Sequence, residues 1–282
     1  MNYFNFNGKL LPENSLIAGA DSRALRYGDG LFETILYKNG QFILIEEHLE
    51  RLWQGMQLLQ FECPKLFTKN YIITELQNLV DKNKLITARV RLSVIRGDGG
   101  LYDSVNHQPN FIIQCWPLAT EQSLLNINGL QLCIYRDARK SCDAFSNIKH
   151  NNYLPYLMGA LFAKKNKCND AVILNQHGRI CDSTIANIFI IKDQSIYTPS
   201  LPEGCVNGII RQYLLMQLPS LGFEIKEIEI NEEMLMNADE FFLTNSIYNM
   251  RWVASVNEKN YPNDFTKKIF NALCKTNAAG FC

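Results

Sequence analysis

Ala171-Val172-Ile173-Leu174, the turn Asn175-Gln176-His177-Gly178, the run from Arg179 to Lys192, a second turn Asp193-Gln194-Ser195, and Ile196-Tyr197-Thr198 decide the reading of the fold. Short apolar runs punctuated by turn formers predict consecutive strands, here a β-meander. Asp182 falls inside the middle run, between Ile180-Cys181 and Ser183-Thr184-Ile185-Ala186. An ionised carboxylate in such a place costs several kcal/mol unless a cation or hydrogen-bond donors face it. Two readings follow. Asp182 ends or bulges a strand and bonds Ser183, Thr184 and nearby amides, or it serves a bound group.

Working outward, Lys149 follows Ser146-Asn147-Ile148 and precedes His150-Asn151-Asn152-Tyr153. A lone lysine is ordinarily a solvated surface charge. One amine and one buried acid, some thirty residues apart, together suggest a cofactor held between them.

The rest of the chain sets the frame. Its 282 residues predict two domains, and a 47% hydrophobic content suffices for substantial cores. The 28 basic and 28 acidic residues cancel, and the most basic stretch is Lys164-Lys165 with Lys167, which disfavours nucleic-acid and anionic-membrane binding. The start has no basic segment followed by an apolar core, and no run approaches a membrane span, so a cytoplasmic protein is expected. Nine scattered cysteines suggest reduced thiols, and with four dispersed histidines they offer no metal-site spacing.

Patterning predicts strands at Tyr3–Phe6 and Leu31–Tyr37, helices at Ile45–Leu59 and Asn70–Lys82, and long strands at Ala88–Ile95 and Phe111–Trp116. A strand at Leu130–Tyr135, a helix at Asn152–Lys167, the meander, a helix from Ile209 and closing strands with a helix at Thr266–Thr276 follow. The expected division is an N-terminal α/β domain at 1–117, an interdomain loop at 118–124 and a cofactor-binding domain at 125–282.

Five segments carry a family likeness: Arg26-Tyr27-Gly28-Asp29-Gly30-Leu31-Phe32-Glu33-Thr34, His48-Leu49-Glu50-Arg51-Leu52, Ile148-Lys149-His150-Asn151-Asn152, Asp182 through Phe189, and Val206-Asn207-Gly208-Ile209-Ile210-Arg211. In this order and spacing the chain resembles the fold-type IV pyridoxal-phosphate enzymes, the class IV aminotransferase family. That family includes branched-chain aminotransferases, D-amino acid aminotransferases and aminodeoxychorismate lyases. The likeness implies a two-domain α+β fold of the D-amino acid aminotransferase kind, a homodimer, pyridoxal 5'-phosphate as cofactor, and a small amino substrate.

It also implies roles. Lys149 would carry the cofactor on its amine and act as general base, which needs a neutral amine in a group ordinarily titrating at about 10.4. Asp182 would face the pyridine nitrogen and keep it protonated; relatives usually have glutamate there, one methylene longer. Free amides at Ile209 and Ile210, at a helix start, would bind the phosphate with Arg51. Relatives often have threonine in place of Ile210. Ser246 and Ile247, following the strand Phe241-Phe242-Leu243, are possible further phosphate contacts. Tyr27, Glu33, Arg96 and Tyr102 would line the substrate pocket, although packing alone also accounts for Tyr27, and a wet strand face for Glu33.

Within the family, the motifs look most like the lyases that release 4-aminobenzoate and pyruvate from 4-amino-4-deoxychorismate. Leu101, in Arg96-Gly97-Asp98-Gly99-Gly100-Leu101-Tyr102, stands where lyases and D-amino acid transaminases often carry arginine, which leaves branched-chain transamination open. Two rivals are a Ser-x-x-Lys acyl enzyme at Ser146-Asn147-Ile148-Lys149, with only Lys275-Thr276-Asn277 for its Lys-Thr-Gly strand, and a non-catalytic relative.

Overall fold

A computed structural model describes residues 2–102, 106–119 and 124–276. The chain forms two compact units, Met1–Thr120 with Ile148–Asn152, and Glu121–Asn147 with Tyr153–Cys282. The segment carrying Lys149 thus belongs to the first unit, where the sequence reading had placed it in the second. Of the anticipated hinge, residues 120–123 lie outside the described residues, as do Asn277 and Cys282.

The first unit contains β1 (Tyr3–Phe6), β2 (Lys9–Pro12), α1 (Arg23–Tyr27), β3 (Gly30–Lys38), β4 (Gln41–Phe42), α2 (Ile45–Leu58), α3 (Lys69–Lys82), β5 (Thr87–Arg96) and β6 (Pro109–Pro117). Its sheet runs β2-β1-β6-β5-β3-β4, and the pairings are antiparallel. Period-two alternation sends Leu31, Ile35, Val90, Leu92 and Val94 into one core. Leu49, Leu52 and Met56 of α2 and Ile72, Leu76 and Leu79 of α3 meet them there, at the three- and four-residue spacing of a helix face. Thr68 caps α3 by accepting from the Tyr71 amide at 3.1 Å.

The second unit contains β7 (Leu130–Lys140), α4 (Leu154–Lys165), β8 (Asp170–Asn175), β9 (Ile180–Ser183), β10 (Asn187–Lys192), β11 (Ser195–Pro199), α5 (Ile209–Ser220), β12 (Ile225–Ile228), α6 (Glu232–Asn237), β13 (Glu240–Asn245), β14 (Asn249–Val256), β15 (Lys259–Asn260) and α7 (Asp264–Lys275). Its strand order is β12-β11-β10-β13-β14-β7-β8-β9. Because β9 also pairs with β10, six of these strands close into a ring. The continuous apolar run Ala171-Val172-Ile173-Leu174 is buried on both faces: Val172 and Leu174 enter one core, Ala171 and Ile173 the other.

The meander is present as β8 to β11. Its middle run is not one strand, however. Arg179–Lys192 breaks at residues 184–186, where the Ser183 amide donates to the Ala186 carbonyl at 2.8 Å. Asp170 fixes the turn by accepting from the Thr184 amide at 3.1 Å and from its hydroxyl at 2.5 Å. Asp182 therefore lies at a strand end, and its one register partner across the closing seam is Asn187. Among the described residues, Cys63, Cys115, Cys133, Cys142, Cys168, Cys181 and Cys205 are free thiols.

Candidate active site

In the first unit, the segment Ile148–Asn152 lies along the start of β3. The Phe32 amide donates to the Lys149 carbonyl and the Asn151 amide to the Gly30 carbonyl, both at 2.9 Å, flanking a Leu31–His150 bridge. Backbone pairing thus fixes the base of the Lys149 side chain. Its Nζ lies 4.6 Å from the Phe32 ring centroid, and the Arg91 guanidinium carbon lies 3.7 Å from the same centroid. Since Leu31, Glu33, Val90 and Leu92 point toward the helices, Phe32 and Arg91 occupy the opposite sheet face. Sequence reasoning missed Arg91. The signal was there in Val90-Arg91-Leu92, a cation at the alternate position of an otherwise buried strand.

Behind that face, Glu33 is only 1% exposed. It accepts from Arg51 Nε at 2.8 Å and Nη2 at 2.5 Å, and lies 2.7 Å from His48 Nδ1. The wet-face reading of Glu33 is corrected: its carboxylate is a buried anchor for Arg51. Burial alone would raise the Glu33 pKa, but the charges of Arg51 and His48 and their hydrogen bonds outweigh it and hold it down to about 2. Burial pushes His48 below its usual value, and the charge and hydrogen bond of Glu33 oppose that shift. Among the described residues no hydrogen-bond partner faces His48 Nε2.

The other first-unit candidates lie elsewhere. Tyr27 is 39% exposed beneath Arg23, whose guanidinium carbon is 5.3 Å from its ring centroid. Arg96 is buried, with Nε on Asp29 at 3.0 Å, Nη1 at 2.8 Å from His107 Nδ1, and Nη2 on the Leu59 carbonyl. Arg96 braces the turn before β3 through Asp29. Tyr102 is 97% exposed.

In the second unit, Asp182 is 2% exposed and meets four donors. Oδ2 accepts from Tyr156 Oη at 2.7 Å, the Val206 amide at 3.0 Å and Lys140 Nζ at 3.3 Å. Oδ1 accepts only from Asn187 Nδ2, at 2.9 Å. Asn187 Nδ2 also donates to the Val206 carbonyl at 2.8 Å, tying the seam to the loop before α5. Burial, followed by the Asp182 charge, pushes the Tyr156 hydroxyl well above its ordinary pKa, so it stays a donor. Lys140, Tyr156 and Asn187 were not singled out in the sequence, for nothing in their spacing marks them as neighbours of Asp182.

Gly208 precedes the start of α5, whose first-turn amides have no acceptor within the helix. Ile209 and Ile210 are buried there. A Cβ on Gly208 would come within 1.9 Å of Asn187 Oδ1, so only glycine lets the helix start lie this close to the seam. Ser246 and Ile247 follow β13, and the Ile247 amide donates to Asn245 Oδ1 at 3.0 Å. That amide is engaged within the turn, which leaves the Ser246 hydroxyl as the simpler donor.

Comparison with known proteins resolves the family. The amino-transferase class IV family matches residues 30–256. The chain belongs to that family. It is similar to the aminodeoxychorismate lyase of Bacillus subtilis (strain 168), 28% identical over 263 residues that cover 90% of this chain and 87% of that protein. A putative branched-chain-amino-acid aminotransferase of Methanocaldococcus jannaschii is also 28% identical, over 241 residues covering 84% and 82%. Among solved structures, the branched-chain aminotransferase of Thermoproteus uzoniensis shares the fold with a TM-score of 0.88 at 22% identity, over 99% of this chain and 95% of that one.

This class IV enzyme is pyridoxal-phosphate-dependent, and each unit taken by itself carries groups that suit the cofactor. A helix start offers amides for a phosphate, Asp182 Oδ1 has acceptor capacity beyond Asn187, and Lys149 supplies an amine. Among the described residues no His, Cys, Asp or Glu cluster could hold a metal ion, and no helix is long and apolar enough to cross a membrane. The Ser-x-x-Lys reading loses its serine. Ser146 lies in a turn segment, accepts from the Asp143 amide at 2.9 Å and donates to the Ser141 carbonyl at 2.8 Å.

Proposed function

We propose that this enzyme is a 4-amino-4-deoxychorismate lyase, forming 4-aminobenzoate and pyruvate. The observation that carries the reading is the likeness to the Bacillus subtilis lyase over 90% of the chain. By the family likeness, Lys149 binds the cofactor covalently, Arg51, Ile209, Ile210 and Ser246 hold its phosphate, and Asp182 takes its ring nitrogen. When bound, the cofactor withdraws the electrons left on the substrate carbon next to nitrogen. The Lys149 amine would be the base that takes the proton from that carbon. Arg91, on the Lys149 face of its sheet, supplies a guanidinium for a substrate carboxylate.

Leu101 and Tyr102 are 58% and 97% exposed, and we assign them to contact with a second copy in a cytoplasmic homodimer. Branched-chain transamination is the second reading. It is favoured by Leu101 in place of arginine and by the likeness to the Methanocaldococcus jannaschii protein. The test is product analysis. Pyruvate released from 4-amino-4-deoxychorismate without a keto acid supports the lyase; turnover that appears only with 2-oxoglutarate and a branched-chain amino acid overturns it.

A further inference from the structure

The buried Asp182 side chain is braced by four donors. Oδ2 already receives three donors and Oδ1 one. A carboxylate has about four acceptor positions, two on each oxygen. Oδ2 is therefore saturated, and the remaining acceptor position belongs to Oδ1. All four partners only donate to it, which suits the ionised acid.

The charge of that acid is balanced by Lys140, at the end of β7 and 42 residues away in the chain. The ammonium is 6% exposed, donates to the Ser146 carbonyl at 2.9 Å, and lies 5.2 Å from the Tyr156 ring centroid. The turn at residues 141–146 keeps that carbonyl in place through the Ser146 hydroxyl, which donates to the Ser141 carbonyl. A buried cation with two oxygen acceptors and an aromatic neighbour has a fixed position, unlike a surface lysine.

We propose that Lys140 is a positioning residue. It neutralises Asp182 and fixes Oδ2, which leaves Oδ1 as the oxygen that would meet the cofactor's ring nitrogen. Tyr156 assists from the same side. This inference rests on the cofactor reading above, and the geometry behind it is a carboxylate held on one oxygen by three donors and on the other by one. Without the Lys140 cation the local potential becomes more negative and protons in the site are held more tightly. The carboxylate then keeps only Tyr156, the Val206 amide and Asn187 as donors, and its one cationic partner is gone.

The test uses purified dimer or monomer as it occurs, with pyridoxal 5'-phosphate as the probe. Apoprotein of the wild type, Lys140→Met, Tyr156→Phe, Asp182→Asn and the double variant Lys140→Met/Asp182→Asn is titrated with the cofactor by absorbance. The pH midpoint of the bound absorbance and the steady-state constants are then read. Lys140→Met is expected to raise the midpoint by more than half a unit and to lower kcat at least tenfold, with KM within threefold. The double variant should be no slower than Asp182→Asn alone, because both changes act through one carboxylate. Tyr156→Phe should move both readings in the same direction by less. It carries the test if Lys140→Met does not fold.

A Lys140→Met enzyme with wild-type midpoint and kcat overturns the proposal, as do losses that multiply in the double variant. So does an unchanged Tyr156→Phe where Lys140→Met cannot be folded. Failure of the wild-type apoprotein to take up the cofactor overturns the cofactor reading instead, and is distinguished by that first titration.

Discussion

Glu33 grips Arg51 through both carboxylate oxygens, at 2.8 Å and 2.5 Å, beneath the surface of the first unit. The grip fixes the guanidinium plane of a residue assigned to the phosphate, and it makes Glu33 a support for binding at one remove. Removing one partner of a buried pair leaves the other charged and unsatisfied. Glu33→Gln should therefore destabilise the apoprotein by about 3 kcal/mol, read from urea denaturation. An unchanged midpoint would show that Arg51 finds another acceptor.

The same pair sets an acid limit. The Glu33 pKa falls from 4.5 to about 2 on folding, so its contribution is complete above pH 4.5 and is lost as pH drops toward 2. The depression corresponds to roughly 3 kcal/mol. Urea midpoints measured between pH 5 and pH 2.5 should fall more steeply for the wild type than for Glu33→Gln. Parallel slopes would remove Glu33 from the acid transition.

Gly208→Ala would push a methyl group into Asn187 Oδ1. Asn187 would have to leave Asp182, the Val206 carbonyl or both. We expect a loss of ~1–3 kcal/mol from overpacking, with weaker cofactor uptake by the apoprotein. Thermal melts and a pyridoxal 5'-phosphate titration check both parts; wild-type values in each would mean that the helix start shifts freely.

Lys149→Ala should abolish turnover, and borohydride treatment should no longer fix cofactor mass to the protein. In the wild type the label should map to the peptide containing Lys149. Retained wild-type turnover would take Lys149 out of the mechanism.

Asp182→Asn should lower kcat more than it weakens cofactor retention, since in the proposed reading the phosphate is held by other residues. Dialysis against buffer followed by absorbance measures retention. If retention and kcat fall together, Asp182 serves the barrel seam more than the chemistry.

The legible part of this protein was that written in local pattern. Ala171–Leu174 announced a strand of a meander, and the run from Ile45 to Leu59 announced a helix. Neighbours in those elements are neighbours in sequence, so periodicity records them. The break at residues 184–186 was hidden because Ile185-Ala186 continues the apolar run. What turns the chain there is Asp170, more than ten residues earlier, which periodicity does not register.

The site divides the same way. The amine at Lys149, the acid at Asp182 and the glycine before Ile209 were set by the amino-acid order alone, because each is a residue type whose chemistry is intrinsic. Which charges stand beside them was decided by tertiary structure. Lys140 and Tyr156 reach Asp182 across 42 and 26 residues, and Lys149 joins the first unit through backbone bonds to β3. A sequence specifies which groups can ionise, donate or accept; only closure of the strand ring and burial among particular partners determine the field each group experiences.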